Sequence, residues 1–188
     1  YDIGAYYGEF TSIVKEIWPE ARVIMFEANP DCQPFLNTHG EHYIHLLSNE
    51  DNRTVKYYTG NNFISGNSYY KENSEIFSSE RFIEMKTRTL DSVVREHDLP
   101  PPDFIKIDVE GYELEVLKGL SRPVNALSFE FTQECHSQTI ACMNRCLEIG
   151  MNLFCVSLMD FNSLQGGWRT PGSVLERIEQ FSGSTRVY

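Results

Sequence analysis

The chain has 188 residues, 41% of them hydrophobic, which suits one domain with a substantial core and is too short for two domains and a linker. Lys and Arg number 16 against 27 Asp and Glu, and this net charge of -11 argues against a nucleic-acid partner; Arg81, Lys86 and Arg88 are interleaved with Glu80, Glu84 and Asp91 and make no basic patch. No apolar run approaches the ~20 residues that span a bilayer. No signal peptide is visible at Tyr1-Asp2-Ile3-Gly4, and five unscaffolded cysteines point to reduced thiols and a cytoplasmic setting.

In chain order, Tyr1-Asp2-Ile3-Gly4 reads as the end of a strand, and Phe10, Ile13, Val14 and Ile17 follow helical spacing up to Pro19. Residues 21–27 predict a buried strand. Pro30 opens a helix that Gly40 closes. Strands are expected over 43–48, 54–59, 82–88, 103–108, 124–131 and 151–157. Leu90, Val93 and Val94 line a short helix, Leu114, Leu117 and Leu120 another, and residues 139–150 a third. Residues 60–79 read as a long polar loop rich in Asn and aromatics, and 158–183 hold only a weak helix near 173–181. Residues 185–188 read as the start of a strand, so both ends look cut. Alternating strands and helices of this kind predict an α/β fold.

Three places carry chemistry. Asp2-Ile3-Gly4-Ala5-Tyr6-Tyr7-Gly8 is a strand ending in an acid, a glycine turn and a helix entered at a second glycine. Its Gly-x3-Gly spacing differs from the Gly-x-Gly-x2-Gly that seats a pyrophosphate, and the acid suits a cationic or amine-bearing ligand. A ligand-free turn explains the same residues. Phe26-Glu27-Ala28-Asn29-Pro30 ends the next strand in an acid able to accept bonds from both ribose hydroxyls; a carboxylate complementing a helix start is the plainer reading. Together the two imply a nucleoside cofactor without phosphates whose far end wants an acid, a description that S-adenosylmethionine meets. Ile105-Lys106-Ile107-Asp108-Val109-Glu110-Gly111-Tyr112-Glu113 ends a third strand in Asp108, with Glu113 also explicable as a helix N-terminal acid.

These blocks, with Thr89-Leu90-Asp91-Ser92-Val93 between them, resemble the FkbM family of S-adenosylmethionine-dependent methyltransferases over nearly the whole chain. The departures are Tyr6, where the family usually has Asn, and Ala28, where it usually has Pro; neither removes a charge or a glycine. The resemblance implies a Rossmann-like class I sandwich, a mostly parallel seven-stranded sheet with an antiparallel last strand. It implies O-methylation of a hydroxyl on a sugar or small metabolite. Carried over by position, Asp2, Gly4, Ala5 and Gly8 would form the turn around the methionine end, and Glu27 and Ala28 would meet the ribose. Leu47 and Ser48 would border the adenine, and Asp108 would sit near the methyl group.

Methyl transfer to a neutral hydroxyl benefits from a base, and Asp108, Glu110, Glu130 and His136 are the candidates. Asp108 with Glu110 could instead hold a divalent cation, and Cys135, His136, Cys142 and Cys146 a zinc ion; the bland reading of those thiols, as small core residues, is preferred, and no metal is expected. Asn61, Asn62, Phe63, Asn67, Ser68, Tyr69 and Tyr70 in the long loop suit a polar ring such as a sugar, or are ordinary turn residues. Two rivals stand beside the methyltransferase: a non-catalytic binding domain, and a nicotinamide-dependent oxidoreductase. Against the second, none of the ten tyrosines has Lys four residues on.

Overall fold

The computed structural model describes residues 1–58, 82–130, 136–157 and 164–181. Among these, five parallel strands form the main sheet: β1 (Asp2–Ile3), β2 (Met25–Glu27), β3 (His42–Ile44), β7 (Phe104–Ile107) and β8 (Ala126–Phe129), in the order β3-β2-β1-β7-β8. Three further strands, β4 (Leu46–Leu47), β5 (Thr54–Tyr58) and β6 (Phe82–Arg88), form a small sheet in which β6 pairs parallel with β4 and antiparallel with β5. The antiparallel pair β9 (Phe154–Ser157) and β10 (Leu164–Arg169) stands apart. The described residues therefore form an α/β fold with a parallel central sheet, but not one continuous seven-stranded ladder.

The helices are α1 (Glu9–Ile17), α2 (Gln33–His39), α3 (Leu90–Glu96), α4 (Glu113–Lys118), α5 (His136–Glu148) and α6 (Pro171–Phe181). A 3-10 turn, Pro30–Cys32, precedes α2, and Asn29 caps it by accepting from the Asp31 N–H at 3.0 Å. Thr89 caps α3 in the same way, accepting from the Ser92 N–H at 3.2 Å. No described helix is long and apolar enough to cross a membrane.

Strand alternation splits the core between the two faces of the sheet. From the segment entering and forming β2, Val23 and Met25 pack with Ala5, Cys32 and Leu36 on one face. Ile24 and Phe26 point the other way, into the larger cluster with Leu90, Val116, Leu117, Met143 and Ile149. Cys142 and Cys146 lie in that larger cluster, and burial pushes their thiols up to about 12 and about 11, as expected of thiols acting as core residues.

Three expectations are revised. The single strand over 43–48 is two short strands in different sheets. His45 marks the change: its N–H still bonds to Glu27 O at 2.9 Å, after which Ser48 N–H bonds to Arg88 O at 2.7 Å. The apolar stripe of α1 is not its buried face, since Ile13 and Ile17 are 44% and 59% exposed and Thr11 is fully buried. β10 lies where the sequence showed no pattern. Residues 60–79, Cys135, the His136 side chain and 185–188 lie outside the described residues.

Candidate functional site

Strand order reverses between β1 and β7: β1 runs on to β2 and β3 on one side, β7 to β8 on the other. Ligands of open α/β sheets bind at such a switch point, beyond the carboxyl ends of the strands. Here the two strands pair in parallel, Asp2 beside Lys106 and Ile3 beside Ile107, and Asp108 N–H continues the ladder to Ile3 O at 3.0 Å. The chain leaves β1 at Gly4 with φ +75°, so close to β7 that a Cβ there would lie 1.8 Å from the Asp108 carbonyl oxygen. Only glycine permits both the conformation and the approach.

Asp2 is fully buried, with Thr11 Oγ1 donating to its Oδ2 at 2.7 Å. The Lys106 ammonium donates to Gly4 O at 3.0 Å and lies 3.2 Å from Asp108 Oδ2 and 3.5 Å from Asp2 Oδ1. Lys106 thus ties together the end of β1, the glycine turn and the end of β7.

Glu27 ends β2, 8% exposed, and its carboxylate is gripped by main-chain donors: Asn29 N–H to Oε1 and Tyr6 N–H to Oε2, each at 2.8 Å. Burial pushes its pKa up, and these backbone bonds oppose the rise. The Ala28 N–H assists them, and since a carboxylate offers about four acceptor positions, capacity for a further donor remains.

After Asp108 the chain turns through two residues of positive φ, Glu110 (52°) and Gly111 (90°). The buried Glu113 holds this loop from inside, its Oε1 accepting from Val109 N–H at 3.2 Å and Gly111 N–H at 3.1 Å. Burial raises the Glu113 pKa against those same bonds. Glu130, just past β8, is pushed up to about 8 by burial, then by the charge of Asp108 and a hydrogen bond to it. At neutral pH the two carboxyls therefore share a proton.

A cavity of about 420 Å³ opens over these strand ends. Of the residues singled out from sequence, it brings together Gly4, Ala5, Glu27, Ala28, Leu47, Asp108 and Glu110. Glu130 joins through Asp108 rather than by lining the wall. Three are placed elsewhere. The Asp2 carboxylate is sealed beneath Thr11 and Lys106. Gly8 serves the packing of α1 on α2, where a Cβ would come within 2.7 Å of the His39 ring. Ser48 is buried against Tyr112, their hydroxyls 2.9 Å apart.

Sequence reasoning missed Lys106, Tyr57 and His45, which also line the cavity. Lys106 lay in a quoted motif but read as a mid-strand residue, because its partner Asp2 is far away in sequence. Burial keeps His45 neutral by lowering its pKa, helped by Arg88 and His97. Among the described residues, no three His, Cys, Asp or Glu are grouped as a metal site.

A parallel α/β sheet with an acid-rimmed cavity at its switch point defines a Rossmann-like domain, in the arrangement that fits class I methyltransferases. The chain belongs to the methyltransferase FkbM domain family, whose model matches residues 2–147. Over 52 residues it is 40% identical to the hexuronic acid methyltransferase AglP of Haloferax volcanii, a stretch that covers 28% of this chain and 22% of that protein. No solved structure matches the chain.

Proposed function

We propose that this domain binds S-adenosylmethionine and transfers its methyl group to a hydroxyl oxygen of a small acceptor, a sugar or related metabolite. The observation that carries this reading is Glu27: a buried carboxylate, aimed by two backbone N–H groups, on the cavity that Gly4 and Asp108 also line. Such an acid at the end of the second strand suits a vicinal diol such as ribose. The cavity volume is in the range of small-molecule sites. Its charged lining, Glu9, Glu27, Asp108 and Glu110 against Lys106, favours a ligand that carries positive charge.

The residues fit the cofactor as follows. Glu27 would hold the ribose, Ala28, Leu47 and Tyr57 the adenine, and the Gly4 turn with Asp108 the amino-acid end. When bound, the cofactor supplies a sulfonium-activated methyl carbon open to in-line attack. The chain's part is to orient the acceptor, keep water out and take its proton. Asp108 is 43% exposed at the cavity and would receive that proton, its orientation set by the hydrogen bond it shares with Glu130. Glu110 stands at the same rim. A carbohydrate acceptor is supported by the relative, which is named for hexuronic acid.

Titration calorimetry with S-adenosylhomocysteine and with NAD tests the cofactor. The unmodified chain should bind the first and not the second. Glu27→Gln turns an amide NH2 toward a backbone N–H and removes charged acceptors worth roughly 1.5–3 kcal/mol each, so affinity should fall by about 10- to 100-fold or more. Binding of NAD alone, or unchanged affinity in the variant, refutes the reading.

A further inference from the structure

We propose that Lys106 binds the carboxylate of the cofactor's amino-acid end, an assignment that rests on the methyl-donor reading above. The amino-acid end of S-adenosylmethionine is a zwitterion. Its ammonium finds acids in plenty, but its carboxylate would enter a cavity lined by Glu9, Glu27, Asp108 and Glu110. A carboxylate taken out of water beside other acids needs a cation. Among the described residues that line the cavity, Lys106 alone carries a full positive charge, His45 being held neutral by burial.

Lys106 also has a donor to give. An ammonium has three N–H groups. One reaches Gly4 O at 3.0 Å, and Asp108 Oδ2 lies 3.2 Å away as an ion-pair partner. The third approach, to Asp2 Oδ1, is 3.5 Å, too long to be a good hydrogen bond, and that buried oxygen has no hydrogen-bond partner among the described residues. Asp2 thus acts on the ammonium by charge at a distance, leaving one N–H free to turn to a ligand. The head of α1 also reaches the cavity, but the side chain it brings there first is Glu9, an acid, so it supplies no cationic side chain.

The test pairs two proteins with two ligands. Calorimetry compares S-adenosylhomocysteine with its decarboxylated analogue, which keeps the amine, on the unmodified chain and on Lys106→Met. The unmodified chain should prefer the intact ligand by about 10- to 100-fold, and Lys106→Met should bind both alike. Lys106→Arg, which keeps the charge, should restore part of the preference and serves if the methionine variant fails to fold. A lysine that only braced the strands would weaken both ligands equally in Lys106→Met. That result overturns the assignment, as does an unmodified chain indifferent to the carboxylate or an arginine variant without any preference. If the unmodified chain binds neither ligand, the methyl-donor reading falls first and takes this assignment with it.

Discussion

Replacing Gly4 by Ala puts a methyl group where the chain has no room for one. Two costs follow, and they can be separated. The first is conformational: φ +75° costs a residue with a Cβ about 1–2 kcal/mol. The second is steric. The new Cβ would lie 1.8 Å from the Asp108 carbonyl oxygen, and ordinary contact requires the turn and the end of β7 to part by roughly 1.7 Å. That movement breaks the bond from Asp108 N–H to Ile3 O and loosens the one from Lys106 to Gly4 O. A neutral bond is worth about 1 kcal/mol and a charged one about 1.5–3 kcal/mol, so the total loss, conformational part included, is at most about 3.5–6 kcal/mol. Gly111→Ala is the matched control, because φ there is +90° and nothing lies within 4 Å of a Cβ. It should lose only the conformational part, about 1–2 kcal/mol. Urea denaturation of the two variants beside the parent reads both values. Equal losses would show that the approach of the turn to β7 contributes nothing, and the account of the switch point would fail.

Two further perturbations probe the buried acids. Glu130 has a folded-state pKa of about 8 against an ordinary 4.5, so its protonated form favours the fold: the stabilisation is complete below the ordinary value and is lost as pH rises through about 8. Glu130→Gln should therefore gain on the parent between pH 5 and 9, by on the order of 1–2 kcal/mol once solvent screening of this half-buried group is allowed for; a stability gap that does not change with pH contradicts the assignment. Thr11→Val removes a side-chain hydroxyl that donates to fully buried Asp2 and should cost about 1–3 kcal/mol in thermal or urea unfolding, despite preserving shape. A neutral effect would mean that Asp2 finds another donor.

Much of the sheet could be read from sequence because its central strands are buried on both faces and so are short apolar runs, ended at Glu27 and Asp108 by acids. The cavity-lining positions Gly4, Glu27 and Asp108 were legible for the same reason: strand ends at a switch point face one crevice. What escaped depended on partners distant in the chain. Residues 43–47 form an unbroken apolar-aromatic run, and nothing local says that His45 leaves one sheet for another. Leu164-Gln165-Gly166-Gly167 lacks alternation, so β10 left no mark. Asp2 looked like a ligand-facing acid. It became a buried one because Thr11, one helical turn inside α1, and Lys106, on the neighbouring strand, close over it. Glu130 drew attention only as an acid near a strand end; its raised pKa arises from burial in the folded chain and then from Asp108, 22 positions earlier.

The grip on Glu27 is written in main chain: the amides of residues 6 and 29 donate to its two oxygens, and that of residue 28 assists. Every amino acid but proline carries that N–H, so side-chain identity at these two positions can drift without disturbing the carboxylate between them. Tyr6 shows the point: at φ 49°, a conformation few side chains favour, its amide still reaches Glu27 Oε2 at 2.8 Å.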